Sequence, residues 1–117
     1  MSSLRVAKVR ELIKEEVSRI ILRDLKDPRI GFVTVTKVDI TPDLREAKIY
    51  VSLMGTEEEK KSSFAGLNSS LGFIRREIGQ RIKMRYTPQV SLAIDTGADY
   101  AERIETLLHD VNDKNSL

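Results

Sequence analysis

The chain has 117 residues, 40% hydrophobic and 32% charged, which suits one globular domain able to bury a core without staples. It has no cysteine, so a disulfide framework and a thiolate nucleophile are excluded. No apolar run nears the roughly 20 residues of a membrane span and the N-terminus lacks a signal-peptide core, so the cytoplasm is the expected location. Net charge is only +2, but residues 71–94 carry five basic and one acidic side chain while residues 95–117 carry two and six. A local positive field of that kind steers a polyanion whatever the distant end carries.

Residues 4–25 read as an amphipathic helix. Val6, Val9, Ile13, Val17 and Ile20 step by three or four, and Leu12, Ile21 and Leu25 widen the stripe. Asp27-Pro28 ends it, because proline cannot continue the backbone ladder and disfavours a helical residue before it. Residues 29–41 read as a strand whose facing is ambiguous. Ile30, Phe32, Val38 and Ile40 share one parity and Val33 and Val35 the other, so either a bulge or burial on both faces is required. Thr41-Pro42-Asp43-Leu44 is turn chemistry. Residues 45–54 alternate, with Ala47, Ile49, Val51 and Leu53 inward and Lys48, Tyr50 and Ser52 outward, which completes an antiparallel hairpin.

Thr56 and Glu59 match a capping box opening a helix that carries Phe64 and Leu67. The stretch NSSLGFIRREIGQRIKMRYTP, residues 68–88, then bends at a glycine corner, Gly72, into a further helix. Leu71, Ile74, Ile78 and Ile82 form its apolar stripe, and Arg75, Arg76, Arg81, Lys83 and Arg85 face only Glu77. A third strand, 89–95, alternates Val90, Leu92 and Ile94. A last acidic helix is expected to carry Tyr100, Ile104, Leu107, Leu108 and Val111, and the polar chain from Asn112 is expected to fray. Residues 1–112 are expected to form a single domain, with 113–117 as a tail.

The order is helix, strand, strand, helix, corner, helix, strand, helix, which predicts an α+β fold with three strands and helices on one face. A helix–corner–helix unit before the last strand is what a KH module uses to grip single-stranded RNA, through a GXXG loop. No GXXG occurs here, since Gly66, Gly72 and Gly79 are wrongly spaced for it.

DPRIGFVTVTKVDITPDLREAKIYVS (27–52) and LGFIRREIGQRIKMRYTPQV (71–90) resemble the bacterial ribosome-binding factor A family, and the likeness runs over about residues 4–110. The resemblance implies a type II KH-like domain whose GXXG is replaced by an Ala-x-Gly kink, here Ser70, Leu71 and Gly72. It also implies a non-enzymatic factor that binds the immature small (30S) ribosomal subunit, assists late 16S rRNA maturation including its 5′-end region, and supports growth in the cold. The expected form is a monomer with 16S rRNA and the small subunit as partners. No cofactor, metal, membrane or small-molecule substrate is expected.

The candidate RNA contacts are Arg75, Arg76, Arg81, Lys83 and Arg85, then Arg5, Lys8 and Arg10 on the first helix, then Arg29 and Arg45 near the hairpin ends. Each has a plainer use. Lys83 and Arg85 suit a helix C-terminus, Gly72 suits a simple cap, Arg29 suits a pair with Asp27, and Tyr50 and Tyr86 suit half-buried packing as well as base stacking. An enzyme would have only His109 as a neutral-pH base, with no nucleophile or metal spacing beside it. The alternative binding class is a protein adaptor using the acidic last helix or an open sheet edge.

Overall fold

The computed structural model describes residues 4–96. The expected last helix, His109 and the tail lie outside the described residues. Helix α1 (Leu4–Arg19) buries Val6, Val9, Ile13 and Val17, the stripe its spacing calls for. Its continuation, Ile20–Asp24, is a π-helical turn closed by the Leu25 amide donating to the Ile20 carbonyl at 3.1 Å. The wider turn shifts the buried face so that the consecutive residues Ile20 and Ile21 both enter the core, while Leu22 is 79% exposed.

Strands β1 (Val33–Ile40) and β2 (Glu46–Leu53) pair antiparallel, and β3 (Gln89–Ile94) adds parallel to β2, giving the order β1-β2-β3. The facing of β1 is resolved by a bulge. Val35 opposes Val51 and Lys37 opposes Tyr50, so Thr36 is the extra residue. One inserted residue changes parity, which is how Val35 and Val38 both reach the same core. The Thr36 hydroxyl donates to Asp95 Oδ2 at 2.6 Å, tying the bulge to the end of β3.

Residues 29–32, expected at the start of β1, instead form a loop laid on helix α2 (Glu57–Ser69). The Gly31 amide donates to Ser63 Oγ at 3.0 Å, and that hydroxyl donates to the Arg29 carbonyl at 3.3 Å. Helix α2 opens on the capping box: Thr56 Oγ1 accepts from the Glu59 amide at 3.2 Å and Glu59 accepts from the Thr56 amide at 3.1 Å.

The kink between α2 and α3 (Leu71–Arg81) falls at Ser70, not at Gly72. Ser70 sits at φ −95°, ψ 1°; its amide donates to the Leu67 carbonyl at 3.0 Å and its hydroxyl to the Gly66 carbonyl at 3.0 Å. A serine hydroxyl that takes up a backbone acceptor helps end a helix without glycine. Leu71 and Gly72 are the first two residues of α3, and Gly72 does not have positive φ. Helix α3 ends at Arg81, so Lys83 and Arg85 lie in the loop to β3 rather than on the helix.

The three described α-helices pack on one face of the sheet. Ala47, Ile49, Val51 and Leu53 share one core with Ile13, Val17 and Ile20 of the first helix, Leu67 of α2, and Ile74 and Ile78 of α3.

Two glycines test this packing in opposite directions. A Cβ at Gly66 would stand 2.8 Å from Ile30 Cγ1, whereas one at Gly72 meets nothing within 4 Å. Gly66→Ala should lose about 1–3 kcal/mol by forcing the 27–30 loop off α2. Gly72→Ala should hold stability or raise it by up to about 1 kcal/mol through helix propensity. Urea denaturation midpoints of the two variants measure the contrast.

Candidate nucleic-acid interface

The α3–β3 loop is held against α3 by a side chain and a close approach. Arg75 donates through Nε to the Pro88 carbonyl at 3.1 Å and through Nη2 to the Thr87 carbonyl at 3.3 Å. Gly79 admits the loop, since a Cβ there would lie 2.5 Å from Thr87 Oγ1. With the loop so fixed, Tyr86 and Arg85 face the β1–β2 turn. The guanidinium carbons of Arg45 and Arg85 stand 5.6 and 5.4 Å from the Tyr86 ring centre.

The turn is itself constrained. Leu44 has φ 61°, a left-handed conformation uncommon for leucine, closed by its amide donating to the Thr41 carbonyl at 2.8 Å. Asp43 Oδ1 accepts from the Thr41 hydroxyl at 2.7 Å and from the Arg45 amide at 3.1 Å. These bonds, that of the Thr41 hydroxyl foremost, hold the Asp43 carboxyl below the usual carboxylate range. Turn, loop and the first turn of α1 together border a cleft of about 460 Å³, which Arg5, Arg45 and Arg85 all line. Among the described residues no carboxylate forms an ion pair with any of the three.

The other candidate cations fall into two groups. Arg76 and Lys83 are exposed, Arg76 with its guanidinium carbon 5.8 Å from the Phe73 ring centre, and neither forms an ion pair among the described residues. Lys8 is exposed and Arg10 half-buried on α1. Arg81 and Arg29, by contrast, are committed internally. Arg81 reaches Asp24 at 2.6 Å, Glu77 at 3.1 Å and Glu16 at 3.4 Å, binding α3 to the first helix and its π turn. Its hydrogen bond to Asp24 is the largest cause of its raised pKa. Three carboxylates around one guanidinium take up its donors, so Arg81 is engaged in internal ion pairs where the sequence suggested an open cation.

Arg29 grips Asp27 at 2.7 Å and donates to Ser69 Oγ at 3.2 Å, stapling the 27–30 loop to the end of α2. Its plainer use is the one the geometry shows. Arg75 is intermediate, with two donors given to the loop it positions. The Arg5–Arg45–Arg85 convergence and its aromatic centre were not foreseen as a unit. Arg45 and Tyr86 are far apart in the chain, and only the adjacency of Arg85 and Tyr86 hinted at it.

The fold defines a type II KH-like domain without a GXXG loop, and its α3–β3 loop contributes Lys83 and Arg85, neither in an ion pair among the described residues. The model of the family described as ribosome-binding factor A matches residues 5–108. This chain belongs to the ribosome-binding factor A family. It is 46% identical over 112 residues to the ribosome-binding factor A of Brevibacillus brevis, covering 96% of this chain and 93% of that one. A solution structure of a Thermotoga maritima protein, proposed to be a ribosome-binding factor A, superposes with TM-score 0.69 at 32% identity, over 83% of this chain and 92% of its own. A homology model of a Thermus thermophilus ribosome-binding factor A, as fitted into a cryo-EM map of its complex with the 30S subunit, shares the fold with TM-score 0.63 at 22% identity, over 75% of this chain and 92% of its own. Among the described residues no helix is long and apolar enough to cross a membrane, and no group of acidic or histidine side chains could hold a metal ion.

The carboxylates of this framework set its acid limit. Hydrogen bonds from Arg29 hold Asp27 below its usual range, as the Thr56 amide does Glu59. A group depressed in the folded state favours folding above its unfolded pKa and loses that contribution as pH falls through the folded value. Melting temperature should therefore be level near neutrality and fall below about pH 4. Asp27→Asn should flatten that fall, as calorimetry across pH would show.

Proposed function

We propose that this protein binds immature small ribosomal subunits through the Arg5–Arg45–Arg85 cleft, with Arg76 and Lys83 as flanking contacts, and assists late maturation of 16S rRNA, including its 5′-end region, without bond-making of its own. The observation that carries the reading is the convergence of three arginines, none in an ion pair with a described carboxylate, on one cleft of a chain in this family. The fitted complex of the Thermus thermophilus relative supports the small subunit as the partner.

Guanidinium groups neutralise phosphates and release counterions, and a fixed cleft adds shape to that charge. Assistance then means tighter binding to one rRNA conformation than to its competitors, because a ligand shifts an equilibrium only by its differential affinity. On this reading the protein works in the cytoplasm, and it is taken to act as a monomer without a cofactor.

Arg45→Ala combined with Arg85→Ala should weaken binding to immature subunits and reduce the slope of log affinity against log salt by roughly two, about one per lost phosphate contact. Arg81→Ala should lower the melting temperature and leave affinity and salt slope alone. Filter binding across a salt series separates them; equal binding by parent and double variant removes the cleft from the interface.

A further inference from the structure

Charge alone does not account for the cleft. Neutralising phosphates needs cations, yet Arg45 and Arg85 are both set against an aromatic ring, and Tyr86 remains 58% exposed. Cation–π attraction orients the ring and the two planar guanidinium groups with respect to one another. An exposed ring and flat cations at one cleft are the surfaces on which an unstacked nucleobase lies.

The remaining wall suits the same ligand. Val6, Leu44 and Met84 line it with apolar surface, and its volume of about 460 Å³ falls within the range of roughly 300–1,000 Å³ of small-ligand sites. Asp43, the one acidic residue lining it among the described residues, already accepts two hydrogen bonds through Oδ1. The site is also preorganised. Arg75 ties down the backbone at Thr87 and Pro88, Gly79 lets the loop sit close on α3, and left-handed Leu44 leads directly into Arg45.

We propose that this cleft grips one unpaired nucleotide of the RNA, its base against the Tyr86 ring and its phosphate on Arg5 and Arg85. The inference rests on the reading of the cleft as the RNA-binding face and adds what that face selects: a single-stranded or extruded residue over paired RNA.

The chain has three tyrosines and no tryptophan, so its intrinsic emission reports on tyrosine. The full chain is titrated with a short unstructured RNA and with a duplex of equal phosphate number, and each variant is also titrated with immature subunits. The single strand should bind more tightly than the duplex and quench tyrosine emission. Tyr86→Leu should abolish the quenching and weaken single-strand binding about 5- to 100-fold, as loss of one base–aromatic stack does, with the salt slope unchanged. Tyr86→Phe should bind like the parent, which shows that the ring and not the hydroxyl matters. A single strand held no tighter than the duplex, or Tyr86→Leu binding like the parent, overturns the proposal. If loss of Arg45 and Arg85 weakens subunit binding while Tyr86→Leu does not, the nucleotide grip alone fails; if neither weakens it, the RNA-face reading fails as well.

Discussion

Ile49 and Val51, in the central strand, have no exposed surface, and the same is true of Ile13, Val17, Ile74 and Ile78 on the helices that share their core. Burial of a side chain of this size is worth roughly 1.5–3 kcal/mol. The alternation of β2 against the stripes of α1 and α3 is therefore the constraint from which every other placement follows. Once α3 lies on the sheet by Ile74 and Ile78, the exit of the chain after Ile82 is set, and the loop to β3 must pass the β1–β2 turn. The cleft is a consequence of where the apolar faces meet.

The cations divide by what surrounds them. Arg81 lies where α3 meets the acidic side of the first helix, and Arg29 lies where the loop crosses α2; both bind parts of the molecule to each other. Arg5 lies in the first turn of α1, Arg45 just after the β1–β2 turn and Arg85 in the α3–β3 loop, with no described carboxylate in an ion pair with them. A guanidinium that bridges helices and one that meets a ligand are the same chemical group, and neighbouring carboxylates decide between the two uses. Arg75 shows a third use, giving its donors to the carbonyls that hold the loop in place.

Short-range structure was legible in the residues. The stripe of α1, the alternation of β2 and the capping box at Thr56 depend on neighbours a few positions away and stand as read, except that Leu12, at the edge of the stripe, is exposed. The bulge at Thr36 was visible as a parity conflict, but choosing between a bulge and two-sided burial needed the partner strand. Glycine, the stronger breaker on propensity, draws the corner to Gly72 at the end of the Ser70–Gly72 kink, whereas the break falls at its first residue, because a serine hydroxyl that occupies the Gly66 carbonyl has no signature in composition. Helix α3 was read as running into Lys83 and Arg85 because its basic pattern outlasts its hydrogen bonds. The fate of Arg81 was hidden for another reason: its partners Glu16 and Asp24 are 65 and 57 positions away. No local pattern reports contacts of that span.

Thr36 has one more effect, on what the sheet refuses. β1 is an outermost strand, and a straight outermost strand is a template on which another chain can zip its amides and carbonyls into a growing stack. The inserted residue breaks the repeat of that template partway along. The neighbouring Lys37–Asp39 pair, at 3.2 Å, lays charge across the same stretch. The residue that lets two valines share the interior thus also interrupts the edge along which another strand would add.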